Sequence, residues 1–513
     1  MTDRGISRGI TWDAVALPTG SLAIRRRLGA TAALAVLTTA VAASGVAVAV
    51  HRHLLPPMPV GVGANPWFAD PASSPDGEPT LPDLASVEQV VDTPTAWAAG
   101  ATGSGVDVAV LDSGVTPVPG LDGANKLVYG PDLSFDSQND ATRYLDGYGH
   151  GTAIASIIAG NDGTPGGFKG VAPDARVISV KVGASNGAVD VSQMIAGIDW
   201  VTQHAHDPGY NIRVLNISLG TDSTQSYLLD PLAHAAENAW RHGIVVVAAV
   251  GNDGSANRNV ADPASDPYVI AVGSEDPMGT VATNDDVMSP FSSRGNSTRH
   301  ADVVAPGSYV IGLRDPGSFL DTNFPGARIG DRFFRGSGTS QAAAVVSGAV
   351  ADILSARPKL DPDRVKKALK KTATSVSGSS NYTGSGLVDV GAAMAAGVSQ
   401  DFAQLFPTAT GLGSLEGSRG SSHVSMLGTV LSGDQDIFGN PWLSSVIAPA
   451  EEANTAWNGG TFNSATWSGT TWSSATWSSA TWSSATWSSA TWSGTTWSSA
   501  TWSSATWSGA EWA

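Results

Sequence analysis

Four polar residues of this chain stand where an apolar run begins or stops. Asp112 closes "VAVLDSG", His150 lies between glycines in "GYGHGTAIASIIAG", Asn252 ends "VVVAAVGNDG", and Ser340 precedes the alanines of "GSGTSQAAAVVSG". An acid, an imidazole, an amide and a hydroxyl are the groups that acyl transfer by nucleophilic catalysis needs. Singly, each has an ordinary explanation. Asp112 and Asn252 precede glycine-containing turns, Ser340 suits a helix N-cap, and His150 suits a cap or a core. Taken together, the order acid, base, nucleophile is one of the arrangements known for such a triad.

The elements that must position them are legible as short β-branched runs. "VDVAVLDSG", "ARVISVKV", "IRVLNISLG", "GIVVVAAVGN" and "YVIAVGS" read as strands ending in glycine, serine or asparagine. Between several of them lie stretches of helical periodicity, such as "DVSQMIAGIDWVTQHA" and "LDPLAHAAENAWRHG". Strand and helix in alternation predict an α/β fold, a doubly wound parallel β-sheet with helices on both faces. In such sheets, function gathers at the carboxyl ends of the strands, where the four polar residues fall.

The strings "VAVLDSGV", "GHGT", "GVAPDARV", "NISLG", "AAVGN", "FSSRG", "DVVAPG" and "GSGTSQAAAVVSG" resemble, in order and spacing, the motifs of the subtilisin-like serine proteases, over about residues 95–395. The resemblance implies that Asp112 orients His150, that His150 is the base for Ser340, and that Asn252 donates to the oxyanion. It further implies a peptide-pairing edge at Ser218, Leu219 and Gly220, and a specificity pocket walled by Ala249, Val250 and Gly251. Protein or peptide would be the substrate. The chemistry needs no cofactor, but family members often bind calcium, and Asp122, Asn161 and Asp162 are the candidate ligands in and near "AGNDGTPGGFKGVAP". The sequence departs from the pattern at Ala153, where the family usually has a second histidine, at Gln341, usually methionine, and at Ala344, usually proline. None of the three removes a reacting group. His150 as base implies activity near or above neutral pH.

Composition sets limits on partners. A net charge of −17 over 513 residues argues against nucleic-acid binding, which requires a basic surface. With no cysteine there is no disulfide and no thiolate chemistry. Residues 29–50 are uncharged and long enough to span a bilayer. Arg4, Arg8 and Arg25 to Arg27 precede them and only Arg52 follows closely. That asymmetry makes 1–28 a cytoplasmic segment, 29–50 a transmembrane anchor or cleaved signal, and everything beyond extracytoplasmic, membrane-held or secreted.

Residues 51–90 read as a Pro/Gly-rich linker, too short and proline-rich for a recognisable inhibitory propeptide. Residues 91–398 are the catalytic domain, and 399–456 a linker or small appendage. From 457 to 513 an aromatic residue recurs every fifth position, as in "TWSSATWSSATWSS". Five fits neither the strand nor the helix period. The tail reads as a small four-sided β-helix, a flexible low-complexity segment, or a row of platforms for cell-envelope glycan. The expectation for the whole is a serine endopeptidase acting outside the cytoplasm. The alternative is a catalytically silent envelope-binding protein on the same fold.

Overall fold

The computed structural model describes residues 83–467, apart from 138, 140, 427 and 428, together with 497–499. Strands β1 (Asp107–Asp112), β2 (Leu127–Asp132), β3 (Arg176–Lys181), β4 (Ile212–Ile217), β5 (Val245–Ala249) and β6 (Ile270–Asp276) lie in the order β2-β3-β1-β4-β5-β6, every neighbouring pair parallel. The short β7 (Val287–Met288) runs antiparallel to β6, and β8 (Val303–Pro306) joins β6 in parallel. Strands β1 and β5 are buried along their whole length, as apolar runs without alternation require. From β1 the chain builds β2 and β3 on one side and then crosses to β4 on the other. Asp112, the last residue of β1, therefore sits at the switch point where such sheets bind ligands.

The helices are α1 (Leu84–Val90), α2 (Thr93–Ala98), α3 (His150–Ala159), α4 (Val191–His204), α5 (Pro231–Arg241), α6 (Phe319–Asn323), α7 (Thr339–Ala356), α8 (Pro362–Thr372), α9 (Ser380–Thr383), α10 (Val390–Ala395), α11 (Leu415–Arg419) and α12 (Ser444–Glu452). α3 and α7 pack together against the sheet, and α4 and α5 form a second pair against it. Their start signals are in the sequence. Asp190 caps α4 in a capping box with Gln193, and Asp230 and Asp361 cap α5 and α8 just before a proline. Small residues let α7 approach closely: a Cβ on Gly348 would lie 2.6 Å from that of Val171.

Two stretches are more ordered than their composition suggests. α1 lies inside 51–90, expected to be linker; Leu84, Val87 and Val90 repeat every third residue and are buried, and Asp83 accepts the Ser86 N–H at 2.8 Å. Residues 399–467 fold onto α4 and α5. The Arg419 guanidinium is fully buried there: Nε donates to Asp190 at 2.7 Å, Nη1 to Gly433 O at 2.7 Å and Nη2 to Gln435 O at 2.6 Å. The first three beats of the five-residue period belong to this layer. Trp457, Phe462 and Trp467 are buried with ring centroids 5.5–6.4 Å apart, and Trp457 Nε1 donates to Ala196 O of α4. The rest of the repeat lies outside the described residues, apart from strand 497–499, and so does the 29–50 span. No helix among the described residues is long and apolar enough to cross a membrane.

Candidate active site

Asp112 and His150 meet where β1 ends and α3 begins. His150 Nδ1 is 2.8 Å from Asp112 Oδ1 and 2.9 Å from Oδ2, with both side chains inaccessible to solvent. An ionised carboxylate only accepts, so Nδ1 carries the proton and Nε2 is left basic. The Ser113 N–H donates to Asp112 Oδ1 at 2.7 Å. Close approach of strand and helix depends on Gly151, because a Cβ there would fall 2.1 Å from Gly114 O and 3.1 Å from Asp112 Oδ1. Gly149, just before the histidine, has φ +102°, which an L side chain would resist.

A second carboxyl, Asp146, holds the start of α3. It accepts the N–H groups of Gly149 and Thr152 and the hydroxyl of Ser113, each at 2.7 Å. Burial pushes its carboxyl up, against the pull of those donors. Sequence reading passed over both Asp146 and Ser113. Asp146 lies four residues before the histidine, the one signal that pointed to it.

Ser340 occupies the first turn of α7, and Asn252 follows the end of β5. Asn252 Oδ1 accepts both the N–H and the hydroxyl of Thr339 at 2.9 Å, which fixes the amide's orientation. A Cβ built on Gly338 would lie 3.5 Å from Asn252 Nδ2 and 3.7 Å from the Ser340 N–H nitrogen. These two donors thus border one point beside the nucleophile. The Ser340 hydroxyl donates to Ser218 O at 3.0 Å, which brings the predicted pairing edge against the serine.

The sequence profile of the subtilase family matches residues 103–386, which hold all four of these residues. The chain belongs to the subtilase family. It is a subtilisin-like serine peptidase. It is 38% identical to serine protease AprX of Bacillus subtilis (strain 168), over 52% of this chain and 61% of that protein, so it spans less than two thirds of that relative. Subtilisin DY of Bacillus licheniformis is 35% identical over 58% of this chain and 93% of its own length. Subtilisin Savinase of Lederbergia lenta is 34% identical over 59% and 96%.

Beside the predicted pocket residues of this subtilase lies one that the sequence did not single out. Val250 is paired on both sides, its N–H to Val272 O and its carbonyl to the Ala261 N–H. The Ala261 methyl lies between the expected pairing edge and the expected pocket wall: Cβ atoms built on Gly220 and Gly251 would be 3.1 and 3.4 Å from it. Ala261→Gly is therefore expected to deepen the pocket. The ratio of kcat/KM for phenylalanine over alanine before the scissile bond should rise about 10- to 200-fold. An unchanged ratio in a peptide series would show that Ala261 does not bound the pocket.

The loop expected to bind calcium is differently built. Both oxygens of Asp162 are taken by Arg332, at 2.7 and 3.1 Å, and the guanidinium holds its carboxyl below the usual range. Asn161 Oδ1 accepts the Gly163 N–H, its Nδ2 turns to Pro173 O, and exposed Asp122 accepts the Gly120 N–H. This set fits a guanidinium and not a calcium ion, which needs six to eight converging oxygens. No cluster of three metal-binding side chains occurs among the described residues. The melting temperature is expected to be the same in excess EDTA as in millimolar calcium, and to fall in Arg332→Gln. A rise of several degrees with calcium would contradict this.

Proposed function

We propose that this subtilase is an endopeptidase that cleaves peptide bonds outside the cytoplasm through Asp112, His150 and Ser340, with Asn252 as oxyanion donor. The observation that carries the reading is the Asp112–His150 contact, made with both groups buried. The Ser340 proton turns from Ser218 O to His150 Nε2 as Oγ attacks the scissile carbonyl. Asp112 stabilises the imidazolium that forms. The carbonyl oxygen, now negative, meets Asn252 Nδ2 and the Ser340 N–H, at the start of a helix whose dipole favours negative charge. His150 gives the proton to the leaving amine, and water repeats the sequence to free the acyl group. The substrate lies extended along Ser218, Leu219 and Gly220 as an added strand, with its side chain between those residues and Ala249, Val250 and Gly251.

The arginine-flanked 29–50 span supports action outside the cytoplasm, at the membrane or after release from it. The aromatic tail is the part of the chain suited to envelope glycan. The test is labelling of the purified full-length protein with a serine-reactive fluorophosphonate, beside Ser340→Ala, with the labelled peptide identified by mass spectrometry. Label on Ser340 that the substitution abolishes is the expected result. A folded protein that takes no label would move the reading to the silent envelope-binding alternative. Because Gln341 stands beside the nucleophile where the family usually has an oxidisable methionine, activity should survive mild peroxide. Rapid loss with oxidation near Ser340 would refute that.

A further inference from the structure

Gln341 is buried to within 1% of full coverage, and neither its Oε1 nor its Nε2 has a hydrogen-bond partner among the described residues. Burying a primary amide unbonded at both ends is costly, and an aliphatic side chain of the same length would avoid it. The residues that follow it in α7, Ala342 to Val346, are all alanine or valine, so packing alone gives no reason for an amide here. Its position supplies one. The point where a Cβ on Gly338 would lie is 2.8 Å from Gln341 Oε1, as well as 3.5 Å from Asn252 Nδ2 and 3.7 Å from the Ser340 nitrogen. Three polar groups from two parts of the chain thus lie around one face of Gly338, beside the nucleophile.

We propose that Gln341 is a further catalytic residue, whose side-chain amide donates a third hydrogen bond to the oxyanion. The inference rests on the triad reading above. Half a turn about the terminal bond brings Nε2 to the face of Gly338 that Oε1 now meets, and no hydrogen bond to a described residue has to break for it. The amide then has no partner among the described residues in the resting enzyme and gains one as charge develops on the substrate oxygen. That is the pattern of an interaction made in the transition state and not in the ground state. It also gives the departure from methionine a chemical meaning.

The test is steady-state kinetics of full-length Gln341→Met, which keeps length and apolar bulk and removes the donor. The expected result is a fall in kcat of about 10- to 100-fold with KM within about twofold. Binding of a peptide aldehyde, which forms a tetrahedral adduct on the serine, should weaken by the same factor as kcat/KM. Gln341→Leu repeats the measurement with a side chain that cannot oxidise, should the methionine variant fold poorly. A kcat equal to or above that of the parent, or a change confined to KM, would overturn the proposal. Fluorophosphonate labelling separates the two readings: a parent that does not label at Ser340 sinks the triad itself, whereas a labelled parent with undiminished Gln341→Met turnover sinks only the third donor.

Discussion

Asp112→Asn is expected to lower kcat by about 10⁴-fold at neutral pH while leaving the protein folded. The Ser113 N–H points at Asp112 Oδ1 from 2.7 Å, so an asparagine would place its carbonyl oxygen there and its NH2 on the Oδ2 side. That NH2 would face His150 Nδ1, which lies 2.9 Å from Oδ2. Two donors cannot share the contact. The imidazole would turn to the tautomer with its proton on Nε2, and Ser340 would lose its base. Size and shape are nearly unchanged, so the melting temperature should move little. The measurement is kcat on a peptide substrate together with the rate of fluorophosphonate labelling, both of which should collapse. Turnover within tenfold of the parent would mean that the Asp112–His150 contact is structural.

The parts of this site that the sequence disclosed are those held by strand ends and by the starts of helices, His150 opening α3 and Ser340 standing in the first turn of α7. Asp112 ends β1 and Asn252 closely follows β5, and both strands are buried on two faces. A continuous apolar run broken by one polar residue is a local signal, and no folding was needed to read it. Ala261 left no such signal. It is a small apolar residue in a loop, and its effect arises because the Gly220 and Gly251 segments converge on its methyl group. Arg332 was equally silent, since its pairing with Asp162 joins residues 170 positions apart. β2 was missed because "LVYGPD" contains Gly-Pro and is buried only at its last two residues, so it lacks both alternation and a full apolar run. The layer 399–467 was hidden for another reason. It has few long apolar runs and is held by polar anchors such as Arg419, which composition alone assigns to solvent.

Arg419→Met should lower the free energy of unfolding by about 3–5 kcal/mol, because it strands Asp190 in the interior without its partner. Burial by itself would push the Asp190 carboxyl up, but the guanidinium overrides it and holds it below the usual range. A carboxyl depressed in the folded state stabilises above its unfolded pKa, about 3.9, and that contribution is lost as pH falls through the folded value. The parent should therefore lose stability in acid that the variant has already lost. Asp190 also caps α4, accepting the Ser192 N–H at 2.9 Å, so its replacement must preserve a cap. Asparagine caps as well as aspartate and carries no charge. Asp190→Asn with Arg419→Met should recover part of the loss, and failure to do so would mean that the guanidinium works through Gly433 and Gln435 instead. A functional consequence follows from where the layer is attached. Asp190 lies in the loop after β3, while Ser418 O accepts the Thr221 hydroxyl at 2.6 Å in the loop after β4. Those loops flank Asp112 in the sheet order, and the second continues the proposed peptide-pairing edge. Loosening Arg419 should thus raise KM for extended peptides more than it lowers kcat, measurable below the temperature at which the variant melts. An unchanged KM in a destabilised variant would confine residues 399–467 to holding the fold together.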